Sequence, residues 1–368
     1  MIQRKKAGLG ILFMLVLMAV TGGILLRGQP LSVLWANLKH LHPWLLLPGL
    51  IMMFGYVSCE AACTRQILRH LGHRVSLGHC LGYSFVGFYV SSITPSATGG
   101  QPAQIYYMSK DGIPVAHGAL NMMLIASCYQ TAALLWGAGS WLFIPSVRTA
   151  AEGGWGILLL YGAAVMLLLT FGMLMLLFLP GPVRKVCQTV LKILTRVKIL
   201  RNREAAESRL ESMLQQYGAG ADCVKRNPWL AVRVLLLCLV QQGLLFSVPW
   251  TVYLAFGLSG TDWMEMAGLQ AVLTLAVCNL PLPGAVGPAE GGFVKAFEGV
   301  FGAGLVTPAM LVSRGISFYA FLVISLCVTA AVHLRVRREG RSRALREITL
   351  SGKGQPRVKA VEKYLNTR

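Results

Sequence analysis

Long apolar runs, almost free of charge, alternate along this chain with short polar connections rich in Lys and Arg. The runs 7–26, 43–64, 113–143, 154–179, 229–257 and 305–335 each reach the length of about 20 helical residues that crosses a hydrocarbon core. Backbone groups in lipid have to be satisfied within helices, so the pattern predicts six full spans. Two further apolar stretches are interrupted. The stretch 77–111 breaks at Thr94-Pro95-Ser96-Ala97-Thr98-Gly99-Gly100-Gln101-Pro102, and 263–303 breaks at Pro281-Leu282-Pro283-Gly284-Ala285-Val286-Gly287-Pro288. Pro and Gly at this density stop a helix, and such backbone survives at membrane depth only under cover of protein or beside a cavity. The expected fold is an all-α integral membrane protein with six full spans and two re-entrant broken-helix hairpins.

Composition agrees with this pattern. Of 368 residues 55% are hydrophobic and 13% charged, with a formal net charge of +20, where an ordinary soluble domain is about 25% charged. So basic a chain raises nucleic acid as a partner, but the cations sit between and after the apolar runs, as they do in loops facing anionic headgroups. No nucleic acid is expected. If the N-terminus is cytoplasmic and both broken stretches return to the side they entered from, 28 Lys and Arg lie inside. Arg27, Lys39 and Arg148 alone lie outside. If both stretches crossed, the ten basic residues of 180–228 would move outside, against the positive-inside rule. Arg4-Lys5-Lys6 and the run after it resemble a signal peptide, but no Ala-x-Ala site follows and the run is long, so it reads as an uncleaved first span. The location expected is a bacterial cytoplasmic membrane, multi-pass, with both termini cytoplasmic. Nine cysteines without a CxxC pair read as small apolar packing residues; neither a metal nor a cofactor is expected.

The segment 183–217 places Leu191, Leu194, Val197 and Leu200 at helical spacing among Lys192, Arg196, Lys198 and Arg201, the pattern of a basic amphipathic helix on anionic lipid. Residues 1–335 form the membrane domain, and 336–368 form a basic cytoplasmic tail expected to be partly disordered. Within the domain the halves 27–180 and 181–335 repeat. Pro43-Trp44-Leu45 and Pro228-Trp229-Leu230 each open a span. At an offset of 186, Pro95 falls on Pro281, Pro102 on Pro288, Ala103 on Ala289 and Gln104 on Glu290. With the topology above the halves are inverted, an arrangement of transporters whose substrate site lies between the repeats.

Pro102 and Pro288 suit a first helical position, with Gly100 and Gly287 before them as caps. Gln104 and Glu290 would then reach back toward those caps. Each hairpin would aim a helix N-terminus at the bilayer interior, and two such ends make a site for an anion such as phosphate; the plainer alternative is a pair of tight turns. Candidate substrate-binding residues are Thr98, Gly99, Gly100, Gln101, Gln104, Gly284, Gly287, Glu290 and Arg314. Ionisable residues at membrane depth usually serve function. Arg314, deep in the last span, can pair with Glu290 or hold a lipid phosphate bidentately. Glu60, Glu290, Lys295 and Glu298 are candidates for ion or proton coupling. Glu60 can instead pair with Arg65 or Lys110, and Lys295 and Glu298 can snorkel to the outer interface. No GxxxxGK[ST] loop, HExxH or Ser/His/Asp arrangement is present, so no catalytic residue is assigned.

The run Thr94 to Pro102 followed by Lys110-Asp111-Gly112 resembles one motif of the flippase-like transmembrane domain of lysylphosphatidylglycerol synthase (MprF). Pro283-Gly284-x-x-Gly287-x-x-Glu290-Gly291 with Arg314 and Tyr319 resembles a second. The resemblance covers roughly residues 5–335. It implies a helical membrane domain that flips an anionic or aminoacylated phospholipid, such as lysyl-phosphatidylglycerol, between leaflets and so supports resistance to cationic peptides. The soluble aminoacyl-transferase domain of the full-length enzyme has no counterpart here, which leaves lysyltransferase activity, alone or as a membrane subunit, as one alternative. A non-transporting scaffold for a lipid-modifying enzyme is another. Expected partners are a phospholipid and the anionic membrane surface, with a separate lipid-modifying enzyme and a second copy of the chain as further candidates.

Overall fold

A computed structural model describes residues 42–152, 156–178, 181, 189, 203–280 and 282–351. Among them every regular element is helical: α1 (Leu47–His70), α2 (Leu77–Ile93), α3 (Gly100–Lys110), α4 (Val115–Phe143), α5 (Pro145–Glu152), α6 (Gly156–Phe178), α7 (Arg203–Lys225), α8 (Pro228–Phe246), α9 (Val248–Ala255), α10 (Trp263–Val277), α11 (Pro288–Phe301), α12 (Val306–Arg314) and α13 (Phe321–Ser351). Five stretches are long and apolar enough to cross a membrane: Pro43–His70, Val115–Phe143, Gly156–Leu177, Pro228–Ala255 and Val306–Glu339. They match five of the six expected spans to within a few residues; the sixth, 7–26, lies outside the described residues, as do Leu191, Leu194, Val197 and Leu200. The chain is a membrane protein of several apolar helices.

Two expected spans are not continuous. The helix 229–257 pauses at Ser247, between α8 and α9, where Pro249 removes a backbone donor. Ser247 there takes the indole N–H of Trp263 at 2.7 Å. The span 305–335 is interrupted by a π-turn, Gly315–Ala320, directly after Arg314, a distortion common at functional sites. The last helix also runs on past 335 to Ser351. The first part of the expected disordered tail is therefore helical, because its Arg, Glu, Ala and Leu are strong helix formers and Arg335 and Glu339 lie 3.7 Å apart one turn on.

Packing follows the small residues. α8 lies against α1 and α4, and α10 against α4 and α6. Gly55 of α1 sits so close to Leu244 that a Cβ there would fall 2.9 Å from its Cδ1, the close approach on which membrane helix contacts depend. One core gathers Ile67, Tyr83, Leu120 and Val234; Tyr217, Ala221 and Val224 seat α7 on it. A second gathers Met53, Phe85, Val252, Phe297 and Phe321. α6 turns Ile157, Leu160, Leu168 and Phe171 outward, an apolar face of the kind that lipid tails cover.

Candidate functional site

Both broken stretches are helical hairpins, α2 against α3 and α10 against α11. Each tip is a short 3-10 turn, Pro95–Ala97 in the first and Pro283–Ala285 in the second. Ser96, Ala97, Gly284, Ala285 and Gly287 all have positive φ there. The two tip turns pack on each other, and α2 also packs on the second turn. Ile93 of the first hairpin joins Val286 and Phe318 in a small apolar cluster.

The second tip is braced from within. Gly287 caps α11, and its N–H donates to Glu290 Oε2 at 2.6 Å. Arg314 Nε donates to Glu290 Oε1 at 2.8 Å, and Arg314 Nη2 donates to the Gly284 carbonyl at 2.9 Å. The guanidinium lies 4.5 Å from the Phe318 ring centroid, and the Tyr319 hydroxyl makes a long 3.5 Å contact with Glu290 Oε1. One arginine thus holds both ends of the turn. Glu290 is 3% exposed, so its charge depends on this partner and on the α11 N-terminus.

The first tip is built differently. α3 begins at Gly100, with Gly99 before it and no side-chain cap. Gly99 N–H donates to Thr94 Oγ1 at 3.1 Å, while Thr98 and Gln101 are exposed. Gln104 does not reach back to the helix start as Glu290 does. It lies more than a turn into α3, and its Nε2 donates to Glu60 Oε1 at 2.8 Å. Glu60 accordingly pairs with neither Arg65 nor Lys110. The helix end of hairpin two is filled by its own carboxylate, and that of hairpin one has no side-chain cap among the described residues.

The family model of the lysylphosphatidylglycerol synthase transmembrane region matches residues 7–325. The chain belongs to this family. It is also similar to a UPF0104 membrane protein of Archaeoglobus fulgidus, 27% identical over 123 residues. That match covers 33% of this chain and 37% of the relative, so the chain spans well under half of the relative's length. The family is one of membrane domains tied to lipid metabolism. On this member, then, Thr98, Gly99, Gly100 and Gln101 form the uncapped helix end, and Gly284, Gly287, Glu290 and Arg314 form the braced one. Lys295 and Glu298 lie apart from this pair, exposed on the side of α11 away from buried Phe293 and Phe297.

One cluster has no sequence signal beyond the motif Lys110-Asp111-Gly112. Asp111, at the end of α3, accepts hydrogen bonds from the Tyr83 hydroxyl of α2 and from Arg335 Nη2 of α13, the latter at 3.0 Å. Tyr107 and His333 Nδ1 are 3.1 Å apart beside it. The base of hairpin one is thereby tied to the last helix. Asp111→Ala is expected to lower stability by about 1–3 kcal/mol, the cost of leaving largely buried partners unmet. Thermal unfolding of the purified protein in detergent checks this, with Arg335→Ala completing a double-mutant cycle.

Proposed function

We propose that the protein moves a phospholipid headgroup between the leaflets of a bacterial cytoplasmic membrane. The lipid is anionic or aminoacylated, lysyl-phosphatidylglycerol being the candidate the family suggests, and the consequence for the cell is resistance to cationic peptides. The observation that carries this reading is the meeting of two hairpin tips, one with an uncapped helix N-terminus beside Thr98 and Gln101, the other braced by a buried Arg314–Glu290 pair. Free N–H groups and a guanidinium are the donors that suit a phosphate. The hairpins enter from opposite faces as re-entrant elements of an inverted repeat, with both termini cytoplasmic. Irregular backbone between such repeats is where transporters bind substrate. Gly99 and Gly100 let α2 pack closely against the start of α3, and exposed Thr98 and Gln101 face the headgroup. Arg314 and Glu290 hold the opposing turn, and Arg314, partly exposed, takes the phosphate when Glu290 releases it.

The test is leaflet exposure of labelled phospholipids in proteoliposomes holding the purified protein, across headgroups that include phosphatidylglycerol and lysyl-phosphatidylglycerol. Protein-dependent movement of anionic or aminoacylated lipid is expected. Absence of movement for every headgroup, with the protein shown to be folded, would replace this reading with that of a scaffold for a lipid-modifying enzyme.

A further inference from the structure

Glu60 stands in a different electrostatic position from Glu290. It lies within an expected span, on α1, and among the described residues no Lys, Arg or His comes within ion-pair distance of it. Its hydrogen-bond partner is an amide, Gln104 Nε2 at 2.8 Å. The titratable groups facing it are Tyr56 and Cys63 on α1 itself and Tyr129 on α4. Tyr56 and Tyr129 are joined to each other at 2.9 Å. Cys238 of α8 adjoins Tyr56 and Cys63. None of these is a cation. Glu60 is partly buried, and an ionised carboxylate at membrane depth without a cation is costly.

Gln104 adds a second observation. It is 5% exposed, and its carbonyl oxygen, Oε1, has no hydrogen-bond partner among the described residues. Its amide lies directly against Gly87 of α2, where a Cβ would fall 2.0 Å from Nε2. A carboxylate accepts only, so against ionised Glu60 the amide can donate while its carbonyl goes unmet. A neutral carboxyl can do both. Its O–H donates to the amide carbonyl while its C=O accepts the amide N–H, closing a two-bond acid–amide ring. One proton satisfies the orphaned atom and removes the unpaired charge together.

We propose that Glu60 is a proton-binding site that couples proton movement to hairpin one, with Gln104 as its positioning residue. Protonation closes the ring between α1 and α3 and seats the hairpin. Loss of the proton leaves a single bond and an unpaired charge, and loosens it. This deepens the lipid-translocation reading and rests on it for the coupling, though the proton site stands apart from it.

Glu60→Gln is the informative variant, because an amide–amide ring keeps both hydrogen bonds and loses only the proton. The full chain is reconstituted in vesicles of phosphatidylglycerol and phosphatidylethanolamine carrying labelled phosphatidylglycerol, and an imposed pH difference is applied. In the native protein the gradient is expected to bias lipid movement by up to about tenfold per pH unit; in Glu60→Gln, movement is the same with and without the gradient. Infrared difference spectra taken through a pH titration are expected to show a protonated-carboxyl band that disappears in Glu60→Gln. If that band is absent from the native protein, or survives in the variant, the proton site is overturned whatever the lipids do. If the band behaves as expected but no lipid moves in the native protein, translocation fails and the proton site stands. If lipid moves indifferently to the gradient, the coupling is overturned. A loss of labelled phosphatidylglycerol movement in Glu60→Gln, without a change in gradient response, would mark Glu60 as a headgroup contact and overturn the coupling as well.

Discussion

Arg314→Ala is expected to abolish lipid movement and to destabilise the protein by about 3–5 kcal/mol, the usual cost of removing one partner from a buried ion pair. The size follows from what is left behind. Glu290 would keep its bond from the Gly287 N–H but lose the guanidinium 2.8 Å away. The Gly284 carbonyl would lose its donor, and Phe318 the cation over its face. Most of the penalty is the stranded carboxylate rather than the bond itself, so Glu290→Gln combined with Arg314→Leu should recover much of the stability. It should not recover transport if the arginine is what meets a phosphate. Arg314→Lys separates the roles further, since an ammonium can answer Glu290 but cannot hold Gly284 and stack on Phe318 at the same time. Denaturation in detergent reads the stability, and the labelled-lipid assay reads the function. A variant that unfolds no more easily than the native protein would show that the pair is not a brace, and one that still moves lipid at the native rate would show that it is not the site.

Much of this arrangement was legible in the chain. The spans are set by run length, and a run of apolar residues such as 113–143 has few other ways to satisfy its backbone in lipid. The two breaks were legible because Pro and Gly act locally, and the Glu290 cap because it closes over three residues. The Glu290–Arg314 pair was available as a candidate, since both charges stand alone in apolar surroundings. What escaped depends on contacts between distant residues. Gln104 aligns with Glu290 and so suggested the same cap, but α3 starts two residues before Pro102 and Gln104 falls a half-turn too far along. Its partner, 44 residues earlier, is fixed by how α1 packs. Asp111 and Arg335 are 224 residues apart; neither is unusual in its own segment. The π-turn after Arg314 has no Pro to announce it; the packing of α1 on Gly315–Ala320 is a tertiary effect.

The second large effect is expected at Gly162, which packs against the backbone of Leu275. A Cβ there would fall 1.9 Å from the Leu275 carbonyl oxygen and 2.8 Å from its carbon. Both are backbone atoms of α10, so no rotamer relieves the clash and the two helices have to separate. Gly137 of α4 meets the same residue, its Cβ position 2.1 Å from Leu275 Cδ1, but that is the far end of a flexible side chain. Alanine gains about 1 kcal/mol of helix propensity over glycine at either position. Against it stands an overpacking cost of about 3 kcal/mol for Gly162→Ala, the upper end of the usual range, and about 1 kcal/mol for Gly137→Ala. The first variant should therefore lose about 2 kcal/mol net and the second almost nothing. Separation would also break the bond from Asn279 Nδ2 to the Gly162 carbonyl, now 3.1 Å, and Asn279 lies just before the Pro283–Ala285 turn. Gly162→Ala should consequently slow lipid movement through a displaced second tip, while Gly137→Ala leaves it near the native rate. Equal behaviour of the two variants in unfolding and transport would mean that α6 does not position hairpin two, and that the brace at Arg314 holds the tip unaided.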